Sequence, residues 1–174
     1  MRDRFNCCAD TEDRVIHFTG KDIRFMKEAL ELAKDAGMLG EAPVGAVVVY
    51  GGDVVARDHN RIELNQDPTA HAEILVLRSA AQALGNWRLL GATVYVTIEP
   101  CVMCAAALIH ARVSRLVFGA WDPRWGGMGS LFDFAHDPRL NHEIEVISGV
   151  MREESASLMQ DFFDRRRKNR FRPN

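Results

Sequence analysis

The sequence predicts a single three-layer α/β domain. Short β-branched apolar runs alternate with helical patterns, and no repeat, low-complexity stretch or linker interrupts them. A length of 174 residues is enough for one sizeable core and short for two. We expect a leader over residues 1–19 and one domain over residues 20–174 that ends in a basic helix.

Each element has a local reason. Residues 21–36 carry Ile23, Met26, Leu30 and Ala33 at helical spacing, and Gly37 offers a stop. Residues 44–50 form a β-branched strand, and Gly51-Gly52 turns it into a hairpin partner over residues 53–56. Residues 60–69 are polar, contain Asp67-Pro68 and read as a loop. A second helix over residues 71–84 is apolar around most of its circumference through Ile74, Leu75, Leu77, Ala81 and Leu84, and Gly85 closes it. A third strand follows over residues 93–98. Pro100 suits a first helical turn, so a third helix is expected over residues 101–111. Strands over residues 116–120 and 144–147 are separated by a Gly- and Trp-rich loop at residues 121–130. The last helix is expected over residues 153–168.

Composition narrows the function classes. Hydrophobic residues at 47% and charged residues at 26% suit a soluble globular protein. No apolar run approaches the ~20 residues that span a membrane, and residues 1–13 lack an apolar signal core. A cytoplasmic protein with no membrane partner is expected. The net charge of −2 hides an asymmetry, because Arg165, Arg166, Arg167, Lys168, Arg170 and Arg172 crowd the C-terminus. Such a tail suits local contact with a polyanion, and equally suits a solvated helix end.

Four cysteines are too few for a disulfide framework. Cys7 and Cys8 are adjacent, have no histidine at ligand spacing and read as incidental. Cys101 and Cys104 form a C-x-x-C pair on one face of the expected third helix. The positive end of that helix favours thiolate, the form that a borderline-soft divalent ion needs. His71 supplies a third ligand. It and Glu73 are two apart, so both face one site only if His71 sits where the helix begins, and Asp67-Pro68-Thr69 supplies such a beginning.

A His-Cys-Cys set leaves the fourth tetrahedral position of zinc open, as catalytic sites do and structural sites do not. No further Cys or His lies close in sequence to close it. Glu73 is then a proton carrier rather than a ligand, since a fourth ligand would remove the open position. The alternative of a thioredoxin-like redox pair lacks the aromatic-glycine-proline active-site sequence. H-x-E followed by P-C-x-x-C is instead the signature of zinc deaminases of nucleobases.

Over residues 28–163 the chain resembles the bacterial tRNA-specific adenosine deaminases of the TadA type. The resemblance rests on Pro43-Val44-Gly45-Ala46, Asn60, Asp67 through Ile74, Asn86-Trp87-Arg88-Leu89 and Glu99 through Cys104. It continues in Phe118-Gly119-Ala120, Asp122, Gly129-Ser130, Leu140-Asn141-His142, and Phe162-Phe163 with Arg166-Arg167. It implies a cytidine deaminase-like fold with a central mixed five-stranded sheet, a homodimer with one Zn2+ per subunit, and conversion of the wobble adenosine of an ACG-anticodon arginine tRNA to inosine. It also gives Asn60 a contact to the purine edge, where position alone also allows an ordinary turn asparagine. The backbone amides of Ala72 and Cys101 are candidates to hold the attacking oxygen. Asn141 and His142 are candidate loop contacts. Phe163, Arg166 and Arg167 are candidates for flanking nucleotides in the anticodon loop, though helix packing and solvation account for them as well. The alternative enzyme acts on a free base or nucleotide such as guanine or cytosine, and a third reading is an RNA-binding protein with a purely structural zinc. The chain departs from the family at Ala106, where glycine is usual, at Ser155, where a non-ligand cysteine is common, and at Trp121 and Trp125.

Overall fold

A computed structural model describes residues 18–170. Most of the expected leader, including Cys7 and Cys8, lies outside the described residues, as do Arg172 and the side chain of Arg170. Helix α1 spans Gly20–Met38. Thr19 caps it reciprocally: the Thr19 hydroxyl accepts from the Asp22 amide, and the Asp22 carboxylate accepts from the Thr19 amide at 2.8 Å. The helix runs past the expected stop at Gly37, because the Leu39 amide still reaches the carbonyls of Asp35 and Ala36.

Five strands form one mixed sheet: β1 (Gly45–Tyr50), β2 (Asp53–His59), β3 (Thr93–Ile98), β4 (Arg115–Ala120) and β5 (Glu145–Ser148), in the order β2-β1-β3-β4-β5. β1 is antiparallel to β2 and β3, whereas β3, β4 and β5 run parallel. The hairpin turns through Gly51 and Gly52 with φ of 62° and 95°, where a side chain would be strained. β2 continues to His59, three residues beyond the expected strand. It is an edge strand, so Arg57 and Asp58 can occupy it without the apolar alternation that marks a covered one.

The strand period of two divides the sheet's side chains between two cores. Val47, Val49, Tyr95 and Val117 face Phe25, Met26, Ala29 and Leu30 of α1. Ala46, Val48, Val94, Val96, Leu116 and Phe118 face the other way, toward helices α3 (Ala72–Leu84) and α4 (Val102–His110). Helix α5 (Arg152–Arg170) lies beside α1 and over β4. Phe118 is fully buried, a position whose side chain contributes about 1.5–3 kcal/mol by burial alone. Gly45 marks the tightest approach of sheet to helix: a Cβ there would lie 2.1 Å from the Ala29 carbonyl oxygen. The result is the expected α/β/α arrangement. It also brings the carboxyl ends of β3 and β4 to one rim, where parallel sheets place their ligands. The loop expected at residues 60–69 holds a single short helix, α2 (Ile62–Asn65), whose Leu64 amide donates to the buried carboxylate of Glu41 at 2.8 Å.

Candidate active site

Two helices begin at this rim, and each begins on a metal-type donor. His71 is the N-cap of α3 with φ −73° and ψ 149°, and Cys101 is the N-cap of α4 with φ −66° and ψ 170°. Extended backbone at both caps turns their side chains inward, so His71 and Glu73 share a site although only two apart. The helices therefore begin at residues 72 and 102, one residue later than the sequence pattern alone would place them.

His71 Nδ1 lies 3.8 Å from Cys101 Sγ and 3.6 Å from Cys104 Sγ, and all three donor atoms fall within 4.8 Å of one another. Tetrahedral coordination with metal–sulfur bonds of about 2.3 Å and metal–nitrogen bonds of about 2.0–2.1 Å separates N from S by about 3.6 Å. The donor set fits such an ion. Its electrostatics ask for one. Hydrogen bonding from Cys104, helped by His71 and opposed by burial, holds the Cys101 thiol down at about 4. The same bond to Cys101, together with burial, pushes the Cys104 thiol far up. One thiolate is favoured and the other disfavoured, and a cation between the sulfurs would favour both. The bond to Cys101 also raises His71 above its ordinary value, against burial.

Glu73 is 4% exposed, and burial pushes its carboxyl up to about 7, with its own backbone amide and His71 opposing. A carboxyl poised near neutrality beside a three-donor group that could hold a metal suits proton transfer.

Glu99 was legible only as part of a motif, and the structure gives it separate work. Its buried carboxylate accepts from the amides of Asp122, Met128 and Ser130, each at 3.0 Å, and from the Ser130 hydroxyl. Those bonds tie the loop at residues 121–130 to the strand that delivers Cys101. Gly126 is required there, since a Cβ would meet the Glu99 carboxylate at 2.2 Å. Trp121 turns inward, edge-on to Phe118 with ring centroids 4.7 Å apart.

A cavity of about 670 Å³ opens over the donors, within the range of about 300–1,000 Å³ for small-molecule sites. Its lining includes His71, Glu73, Cys101, Asn60, Phe163 and Trp125. The other expected contacts are distributed differently. The Ala72 amide donates to Asn60 Oδ1 at 2.9 Å. Asn141 Oδ1 accepts from Arg112 at 2.5 Å, and His142 Nε2 lies 2.7 Å from the Val113 carbonyl oxygen. Both are anchored just before β4, at the opposite end of the parallel strands from the cavity. Arg166 lies 3.5 Å from a Glu63 oxygen and over the Phe162 ring at 5.4 Å, and Arg167 pairs with Asp164. Part of the basic tail is thus balanced within the chain.

Comparison with known proteins agrees with this geometry. The MafB19-like deaminase family matches residues 21–167. The tRNA-specific adenosine deaminase of Bacillus subtilis is 49% identical over 150 residues, covering 86% of this chain and 93% of that protein. That of Haemophilus influenzae is 48% identical, covering 86% and 87%. A solved structure from a study of A-to-I editing by tRNA deaminases at the wobble position superposes with a TM-score of 0.76 at 49% identity, covering 78% of this chain and 98% of that one. Among the described residues no helix is long and apolar enough to cross a membrane. By the match along nearly its whole length and by the His-Cys-Cys group beside a buried glutamate, the chain belongs to the tRNA-specific adenosine deaminases, within the MafB19-like deaminase family.

Proposed function

We propose that this chain converts the wobble adenosine in the anticodon loop of an ACG-anticodon arginine tRNA to inosine, as a cytoplasmic homodimer with one Zn2+ per subunit held by His71, Cys101 and Cys104. The observation that carries the reading is the pairing of a three-donor group with the buried carboxyl of Glu73 on the floor of a base-sized cavity. Bound there, zinc supplies a water whose pKa is lowered to about 7. Glu73 takes a proton from the attacking water and delivers it to the base and the leaving group. The carbon–oxygen bond forms, the carbon–nitrogen bond breaks, and ammonia leaves. Asn60 uses its side-chain oxygen on the Ala72 amide, which leaves its NH2 group to donate to an acceptor on the purine edge. The Cys101 amide remains the backbone candidate for the attacking oxygen.

Phe163 lines the cavity and offers a ring to a neighbouring base, and Arg166 and Arg167 lie farther along the same helix toward the phosphates. An adenosine in an RNA loop reaches such a floor by being splayed out, which costs less for an unpaired base. The test is to incubate zinc-loaded protein with the ACG arginine tRNA and sequence the cDNA. A-to-G conversion at the wobble position is expected. No conversion, together with ammonia release from free guanine or cytosine, would replace this reading by the small-molecule one.

A further inference from the structure

The loop tied down by Glu99 carries two tryptophans with opposite fates. Trp121 packs inward on Phe118, but Trp125 is 67% exposed at the cavity mouth. An indole this exposed is unusual, because tryptophan is on average highly buried. The backbone beneath it is rigidly placed. The Trp125 carbonyl accepts from the Val102 amide at 3.1 Å, in the first turn of α4, and the next residue, Gly126, bridges to Cys101. The backbone that carries the ring is therefore fixed relative to Cys101. Arg124 also lines the mouth, and among the described residues no ion pair engages its guanidinium.

We infer that Trp125 is a stacking platform for a nucleobase flanking the reactive adenosine, with Arg124 placed for the adjoining phosphate. This rests on the RNA reading above and adds a recognition residue to it. A flat apolar face beside an unbalanced cation is the combination that grips unpaired nucleotides, where the ring takes the base and the cation takes the backbone. Among the described residues no ring–ring or cation–π contact engages the Trp125 indole, so stacking there requires no rearrangement of the core.

The test measures kcat/KM on an anticodon stem-loop with wild type, W125A, W125Q and W125F. The same loop is also prepared with an abasic nucleotide on the 5′ or the 3′ side of the adenosine. Base stacking of this type is worth a loss of roughly 5- to 150-fold on removal of the ring. W125A and W125Q are expected to fall by that factor, mainly through KM, while W125F stays within about threefold. One of the two abasic loops should cost wild type a similar factor and cost W125A nothing further, the non-additivity of two groups that touch. Thermal midpoints should agree within about 2 °C, as for other exposed substitutions.

W125A equal to an active wild type, or abasic penalties undiminished in W125A, would overturn the inference alone. A sedimentation change in W125A would also overturn it, by assigning the indole to contact between copies. A wild type that makes no inosine from the intact loop would overturn both this and the substrate reading.

Discussion

Two buried polar clusters sit at opposite ends of the same sheet, and they are built on opposite plans. At the amino ends of the parallel strands, Asp22 is 1% exposed and accepts from the Thr19 amide and hydroxyl, from Tyr95 Oη at 3.0 Å and from Arg115 at 2.7 Å. Burial would raise its carboxyl, but the bonds from Arg115, Thr19 and Tyr95 outweigh it and hold the group well below the carboxylate range. Every charge there has its counterpart inside the chain. At the carboxyl ends, Glu73 is just as enclosed, yet burial wins and its carboxyl rises to about 7, while two sulfurs share the room for one thiolate. A completed polar network holds elements together; an incomplete one waits for a cation and a substrate.

Substitutions should separate the two ends. The largest effect is expected from C101S, which removes a soft donor: bound zinc should fall from about one per chain to near zero, turnover should vanish, and the thermal midpoint should drop because metal binding adds to folding. Atomic absorption and calorimetry on one preparation check this.

D22N should do the reverse, leaving zinc and kcat intact while lowering unfolding free energy by about 1–3 kcal/mol. Denaturant titration reads that loss. The sign with pH follows from the lowered carboxyl. Its stabilisation is complete above about pH 4 and disappears as pH falls through the folded-state value, so the gap between wild type and D22N should close in acid. Tyr95 gives the alkaline counterpart. Burial, with Asp22 adding to it, raises the phenol from 10.0 to about 12, so its contribution is present below pH 10 and lost between there and about 12. The smallest effects belong to N141A and H142A, whose side chains are anchored at the end remote from the cavity. Each should change kcat/KM by less than about threefold.

The sequence disclosed the catalytic end better than the structural one. Cap residues and short-range spacing are local signals, so His71, Glu73, Cys101 and Cys104 could be assembled from two motifs. The Gly51-Gly52 turn was legible for the same reason. Asp22 and Arg115 are 93 positions apart, and no local pattern announces that they meet. The extension of β2 through Arg57 and Asp58 escaped because an edge strand need not alternate. Glu99 enters the sequence reading only within the Glu99–Cys104 match, because its partners Asp122, Met128 and Ser130 lie in a loop with no period to read. Asn141 and His142 are linked to substrate by resemblance alone, and no local pattern announces their partners Arg112 and Val113.

On the proposed reading, His71, Cys101 and Cys104 would hold the metal with one position open, and Glu73 would lie beside it and not on it. E73A measured for zinc and for inosine formation in the same preparation tests this most directly. The expected result is zinc near one per chain with turnover lowered by at least about 10²–10⁴-fold, the range that a proton carrier supplies. Loss of the metal, or turnover near that of wild type, would contradict it.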